Sequence, residues 1–292
     1  MPASHTPLPT VGSALERAIA TLSEAGVPDA EVDATLLIGH VLDASRGRIQ
    51  ALAITDATVT DAQAASISAA VRRRAAREPL QHITGVAPFR SIQLRVGPGV
   101  FVPRPETELV AQFAIDALRS EAGDEPIGVD LGTGSGAIAL AMATEVPHAR
   151  VYGVENSPEA YEWTVQNFQA VADENATPVF ADLADALPEL DGRVAVVISN
   201  PPYVPADAIP RDREVRLFDP AHALYGGADG LDVVRAVSTT AMRLLHQGGT
   251  LVIEHGELQG EAIRRLLTAD GWRAAATHPD LTTRDRATTA IR

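Results

Sequence analysis

An asparagine, two prolines and a tyrosine, Asn200-Pro201-Pro202-Tyr203, follow directly on the apolar run Val194 to Ser199. A short Val, Ile and Ala run that stops at such residues reads as a buried strand carrying a polar group to its C-terminal edge, because the residue before a proline is held extended. In open parallel α/β sheets that edge is where ligands bind. The residue types suit a planar amide or amino nitrogen. The Asn200 carboxamide oxygen can accept one N–H, the Pro201 carbonyl a second, and the Tyr203 ring can lie against the flat face of the group, while Pro202 joins Pro201 in stiffening the loop. A strand ending in a proline-rich turn is the plain alternative for the tripeptide alone, so the glycines upstream carry the decision.

Ile127-Gly128-Val129-Asp130-Leu131 reads as a strand, Gly132-Thr133-Gly134-Ser135-Gly136 as a tight turn, and Ala137 to Ala143 as the helix that follows. Glycines let a backbone approach a ligand where a Cβ would collide. The spacing is GxGxG, not the GxGxxG of most dinucleotide sites, and Asp130 stands just before it. A pyrophosphate gains little beside a carboxylate, whereas a ligand bearing an ammonium gains a partner, so S-adenosylmethionine fits better than NAD. Glu155 closes the next strand, Val151 to Val154, at about the offset of a carboxylate that receives ribose hydroxyls. An exposed acid ahead of the helix near Pro158 is the alternative. Asp182, after Val179-Phe180-Ala181, can meet an adenine amino group with Leu183 flanking the ring, or lie in an ordinary loop. Asn200 borders the same cofactor pocket, and the loops follow one another at successive strand ends.

The elements that must position these residues alternate. Strands are expected near 126 to 130, 150 to 154, 178 to 181, 193 to 199, 249 to 254, 272 to 278 and 286 to 291. Helices are expected at 135 to 146, 157 to 171, 231 to 246 and 258 to 269. That alternation predicts a mainly parallel α/β sheet with helices on both faces. Before it, Val11 to about Arg77 reads as four short helices, the last opening at Asp61 as N-cap, after a proline-rich lead over residues 1 to 10 that is expected to be disordered. Ile92, Leu94 and Val96 alternate with polar residues and Val100-Phe101-Val102 follows Gly97-Pro98-Gly99, which predicts a β-hairpin between two domains. Pro105 then opens a helix through about Leu118. The boundaries are residues 1–85 for the helical domain, 86–104 for a hairpin linker and 105–292 for the α/β domain.

The chain has 292 residues, 24 Lys and Arg against 38 Asp and Glu, and a formal charge of -14. General nucleic-acid binding is disfavoured by that balance. The absence of cysteine excludes disulfides, thiolate metal sites and cysteine nucleophiles. No apolar run approaches membrane-spanning length and the N-terminus lacks a basic segment followed by an apolar one, so a cytoplasmic protein, with no membrane attachment, is expected. Arg72-Arg73-Arg74 with Arg77 is the one dense basic cluster. It reads either as cations at a helix C-terminus or as a patch that meets an acidic or RNA-bound partner.

The run Asp130 to Leu140 with Asn200-Pro201-Pro202-Tyr203-Val204 resembles a class I, Rossmann-like methyltransferase acting on a nitrogen conjugated to a π system. Pro79 to Gly85, Phe101 to Glu108, and Glu214-Val215-Arg216 leading to Ala223 through Asp232 narrow the resemblance to the peptide chain release factor glutamine methyltransferases, the HemK/PrmC family. The resemblance implies methyl transfer from S-adenosylmethionine, leaving S-adenosylhomocysteine, to the side-chain amide nitrogen (N5) of the glutamine in the Gly-Gly-Gln tip of bacterial class I release factors. It implies that Phe101 and Arg104 help form the glutamine pocket or order the loop over it, a packing role for Phe101 being the alternative, and that the helical domain docks the factor; orientation and partial charge stabilisation require no metal, and nothing in the sequence suggests more than a monomer. Three departures bear on loop shape: Glu155 where Asp is usual, Phe89-Arg90-Ser91 in place of a more aromatic stretch, and no glycine opening Thr282 to Arg286. The rival readings are an adenine-N6 methyltransferase on DNA or RNA, which would have to bind phosphates and extract a base, and a non-catalytic S-adenosylmethionine-binding protein.

Overall fold

The computed structural model describes residues 9–172 and 174–292. The proline-rich lead falls outside them except for Pro9 and Thr10. Two compact units emerge, one ending at Gly85 and including Arg211–Phe218, the other formed by Val86–Pro210 and Asp219–Arg292.

The first unit is helical: α1 (Val11–Glu24), α2 (Ala30–Leu42), α3 (Arg46–Ile54), α4 (Asp61–Ala75) and α5 (Leu80–Thr84). Thr10 starts α1, its hydroxyl accepting from Ser13 N at 3.1 Å while Ser13 returns a bond to the Thr10 backbone, a capping box that satisfies two orphan amides. Thr60 does the same for α4 with Gln63, so Asp61 is the first helical residue and not the cap. Val11, Ala18 and Leu22 of α1, Leu37 and Ile38 of α2 and Ile49 of α3 fill one core with Ile67 and Val71.

The basic cluster divides. Arg72 and Arg73 face solvent, while Arg74 and Arg77 are buried. Arg74 meets Asp33 at 2.7 Å and Glu214 at 2.8 Å, and Arg77 meets Glu214 at 2.7 Å. Arg72, Arg73 and Arg74 do fall in the last turn of α4, the helix-end reading of the cluster, while Arg74 and Arg77 are engaged in internal ion pairing that ties Arg211–Phe218 to the helices.

The second unit runs β1 (Val86–Phe89), β2 (Ile92–Arg95), α6 (Pro105–Ser120), β3 (Ile127–Leu131), α7 (Ala137–Glu145), β4 (Arg150–Glu155), α8 (Pro158–Val171), β5 (Ala176–Phe180) and β6 (Val194–Ser199). After the excursion α9 (Arg213–Phe218) into the first unit come α10 (Ala221–Leu224), α11 (Asp232–Leu244), β7 (Leu245–Glu254), α12 (Gly260–Ala269), β8 (Arg273–Pro279) and β9 (Asp285–Ile291). The sheet order is β5-β4-β3-β6-β7-β9-β8, with β3 to β7 parallel and β9 antiparallel to both of its neighbours, β7 and β8. Alternate side chains serve opposite faces: Val196, Ile198 and Val252 pack toward α6 and α7, Val197, Leu251 and Ile253 toward α11 and α12. Strands buried on both faces read as near-continuous apolar runs, as Val194 to Ile198 of the fully buried β6 do.

The hairpin differs from expectation. It pairs Val86–Phe89 with Ile92–Arg95 around Arg90-Ser91, and Val100 to Val102 joins no strand. Arg90 takes a left-handed φ of 50° there, held by its guanidinium on Glu145, Gln112 and the Glu108 carbonyl. Nor is the stretch 86–104 a linker. Phe89, Leu94, Val100 and Val102 are all buried in the core of the second unit.

Candidate active site

The strand order reverses at β3: the chain steps out to β4 and β5 on one side, then returns to place β6 on the other. That reversal opens a crevice at the carboxyl edge, because the loops leaving β3 and β6 diverge. Asp130 pairs in register with Ile198, and the Ser199 hydroxyl donates to the Leu131 carbonyl at 2.6 Å. The glycine turn after β3 and Asn200-Pro201-Pro202-Tyr203 after β6 therefore leave adjacent strands at one level.

The glycine turn is shaped from behind. Gly132 N and Thr133 N donate to the Val154 carbonyl, the Thr164 hydroxyl donates to the Gly134 carbonyl at 2.6 Å, and the Asn167 carboxamide donates to the Ser135 carbonyl at 2.8 Å. Gly136 has φ 87°, and a Cβ on it would sit 2.7 Å from the Phe168 ring, so no other residue fits. At Gly132 and Gly134 an added Cβ would meet nothing within 4 Å. Among the described residues, bare backbone thus faces open space on the front of the turn.

The acids are engaged more deeply than their spacing suggests. Asp130 is fully buried, its Oδ2 accepting from the Thr133 hydroxyl at 2.6 Å and from Ala139 N at 3.2 Å, while Oδ1 has no partner. Burial pushes its carboxyl up to about 7, against the hydrogen bonds from Thr133 and Ala139, which lower it. Glu155 accepts three backbone N–H groups: Gly134 on Oε2, Asn156 and Ser157 on Oε1. With about four lone-pair directions on a carboxylate, about one is left unused by these backbone donors. Asp182 is exposed, accepts from Ala184 N at 2.9 Å and lies 3.4 Å from the Asn156 carboxamide, with Leu183 half-buried beside it.

Asn200 and Tyr203 are half-buried and Pro201 is buried. The loop is pinned beyond them: Val204 N donates to the Leu224 carbonyl, Gly226 N to the Val204 carbonyl, and the Gln259 carboxamide to the Tyr203 carbonyl at 2.9 Å. Gly226 lies so close that a Cβ would fall 2.3 Å from the Pro202 carbonyl oxygen. Burial and then the charge of Glu254 push the Tyr203 phenol up to about 12, so it stays neutral. The Arg104 guanidinium sits 4.8 Å over the Phe101 ring and donates to Asp219 at 2.6 Å, and Arg104 and Glu106 are among the charges that act on Tyr203. The two sequence segments are thereby brought together at the start of α6.

One residue escaped the sequence reading. Glu254 closes β7 next to Asn200 and is 1% exposed, with Oε2 unpartnered. An apolar run ending in a single acid at a strand terminus, the same signal that drew attention to Glu155, was there to find it.

Comparison with known proteins agrees with this layout. Residues 13–85 match the family model of the PrmC N-terminal domain and residues 91–230 that of the methyltransferase small domain. The chain is 47% identical to the release factor glutamine methyltransferase of Streptomyces coelicolor over 92% of its length and 93% of that protein's. It is 44% identical to the protein of the same name from Bifidobacterium longum, over 93% and 96%. A 4-amino-L-phenylalanine/4-methylamino-L-phenylalanine methyltransferase of Streptomyces pristinaespiralis is 37% identical over 97% and 96%.

Proposed function

The chain belongs to the release factor glutamine methyltransferases, and we propose that it moves a methyl group from S-adenosylmethionine to the side-chain amide nitrogen of the glutamine in the Gly-Gly-Gln motif of a bacterial class I release factor. The observation that carries this reading is the pairing of β3 with β6, which sets the glycine cradle beside a loop able to accept two N–H groups from one planar nitrogen. S-adenosylmethionine, when bound, supplies a methyl group on a positively charged sulfur. Gly132, Thr133, Gly134, Ser135 and Gly136 form its cradle, Asp130 shapes the turn, Glu155 offers its remaining lone pair to a ribose hydroxyl, and Asp182 and Leu183 border the adenine.

An amide nitrogen is a poor nucleophile because its lone pair is delocalised into the carbonyl. Asn200 Oδ1 and the Pro201 carbonyl, each accepting one N–H, hold the nitrogen at a fixed attitude and stabilise positive charge as it builds there. The Tyr203 ring covers the flat face of the amide and Pro202 keeps the loop stiff. Phe101 and Arg104, stacked and anchored on Asp219, wall the glutamine pocket. The helical unit holds the factor away from its tip, and the enzyme works as a monomer in the cytoplasm.

The S. pristinaespiralis relative is named for an aromatic amine, another nitrogen conjugated to a π system, so the decisive experiment ranks substrates. Purified enzyme is given a release factor, the same factor with its Gly-Gly-Gln glutamine changed to Ala, and free 4-amino-L-phenylalanine. The factor should be methylated with kcat/KM at least on the order of 100-fold above the free amino acid, and the altered factor not at all, since a site built to bond a substrate N–H rejects what lacks it. The reverse ranking would transfer the chain to the small-molecule branch.

A further inference from the structure

Ser199 and Ile253 are paired across β6 and β7, so the next residues, Asn200 and Glu254, leave the parallel strands side by side. Glu254 is 1% exposed, and its Oε2 makes no hydrogen bond among the described residues. Few charged or polar groups face it. Glu106 and Thr107 come from the first turn of α6, Arg286 from β9, and Tyr203 and Asn200 from the loop itself. Among the described residues Arg286 Nε has no hydrogen-bond partner, and the Thr107 hydroxyl has none apart from its approach to Glu254. The neighbouring His255 is turned away, its ring nitrogens meeting the Gly256 carbonyl and the Thr288 hydroxyl at 2.9 Å each. A buried carboxylate with no ion pair at the edge of a substrate loop is costly unless it has work to do.

We propose that Glu254 is a positioning residue for the methyl-accepting nitrogen, its carboxylate taking an N–H of the Asn200 carboxamide and so turning the Asn200 oxygen toward the substrate. This rests on the function proposed above. A primary carboxamide presents an acceptor on one side and donors on the other, and the group that binds one side decides which is left for the ligand. With Glu254 ionised, Asn200 donates to it and its oxygen is free to accept from the glutamine N–H. With Glu254 protonated, its O–H competes for that same oxygen, and the acceptor is withdrawn. Burial raises this carboxyl to about 7 and Glu106 adds to the rise, while Thr107, Arg286 and Asn200 pull it down, so the exchange falls in the working range.

The test compares wild type, Glu254→Gln and Glu254→Ala. Wild-type kcat on release factor should climb through a transition near pH 7. In E254Q the new amide oxygen still accepts from Asn200 and its NH2 can reach the Thr107 hydroxyl, so the rate is retained while the transition disappears. In E254A kcat should drop on the order of 10- to 100-fold, with KM for S-adenosylmethionine unchanged. The side-chain ¹⁵N–¹H signals of Asn200 in the enzyme without substrate should titrate over the same pH range in wild type and not in E254Q. An E254Q enzyme that keeps the wild-type pH profile and the Asn200 titration overturns the proposal even if E254A fails to fold. A wild type that leaves release factors unmethylated would instead overturn the function on which it rests.

Discussion

Glu155 holds two loops of the candidate site together with a single side chain. Its carboxylate gathers Gly134, Asn156 and Ser157 N–H groups, drawing the turn after β3 against the end of β4. Hydrogen bonds to a charged acceptor are worth about 1.5–3 kcal/mol each, and losing the acceptor leaves buried donors unmet. Glu155→Ala should therefore lower the melting temperature and weaken S-adenosylmethionine binding by on the order of tenfold or more, read by calorimetry. Unchanged stability with weakened binding would assign Glu155 to the ribose alone. The position of this acid was legible from the strand that precedes it. Its partners were not, because a backbone N–H has no signature in a sequence. Glu254 was missed for a related reason: β9, which covers it, returns from some thirty residues further on, and only that return turns an acid at a strand end into a buried one.

At the level of elements, the seven strands of the large sheet and helices α6, α7, α8, α11 and α12 were anticipated, since apolar runs of strand length alternate there with helical spacing, whereas β1 and the short α10 were not. The hairpin was misplaced because Gly97-Pro98-Gly99 is a real turn, with Val100 N donating to the Gly97 carbonyl, but no pair of strands meets across it. Gly97 is needed where the chain passes the Trp163 indole, to which a Cβ would come within 2.5 Å. The hairpin's own turn uses Arg90, whose left-handed backbone is held by contacts with α6 and α7 that no local pattern announces. The segment Ala223 to Asp232 braces the Asn200 loop through Leu224, Gly226 and the parallel bridge of Val204 with Tyr225. Gly226→Ala would press a methyl group on the Pro202 carbonyl oxygen and the Gly230 backbone. The loop must then shift, at a cost of about 1–3 kcal/mol. We expect kcat to fall well before S-adenosylmethionine affinity does; equal losses in both would mean that the brace supports the cofactor turn as well.

On the scale of the whole molecule, the helical unit owes part of its construction to Arg211–Phe218. Glu214 reaches Arg74 and Arg77 across 140 and 137 residues of sequence, too far for charge patterning to reveal. Burial alone would raise the Glu214 carboxyl, but the hydrogen bonds it accepts from Arg77 and Arg74 outweigh it and bring it down to about 2. Its stabilisation is therefore complete above the ordinary carboxylate range and is lost as pH falls through that range toward about 2. Glu214→Ala leaves two buried guanidiniums without their shared partner and should cost about 2–3 kcal/mol, after allowance for solvent reaching the cluster. Limited proteolysis between residues 207 and 219 should quicken at neutral pH; an unchanged cleavage rate would show that the ion pairs do not hold the segment. Among the described residues no helix is long and apolar enough to cross a membrane. The central claim concerns one nitrogen atom. Release factor incubated with the enzyme and S-adenosylmethionine carrying a deuterated methyl group should, on peptide fragmentation, bear a single label on the side-chain amide of the Gly-Gly-Gln glutamine. Asn200→Ala, with its cofactor cradle intact, should leave that peptide unlabelled. Label on any other residue, or undiminished labelling by Asn200→Ala, would contradict the account.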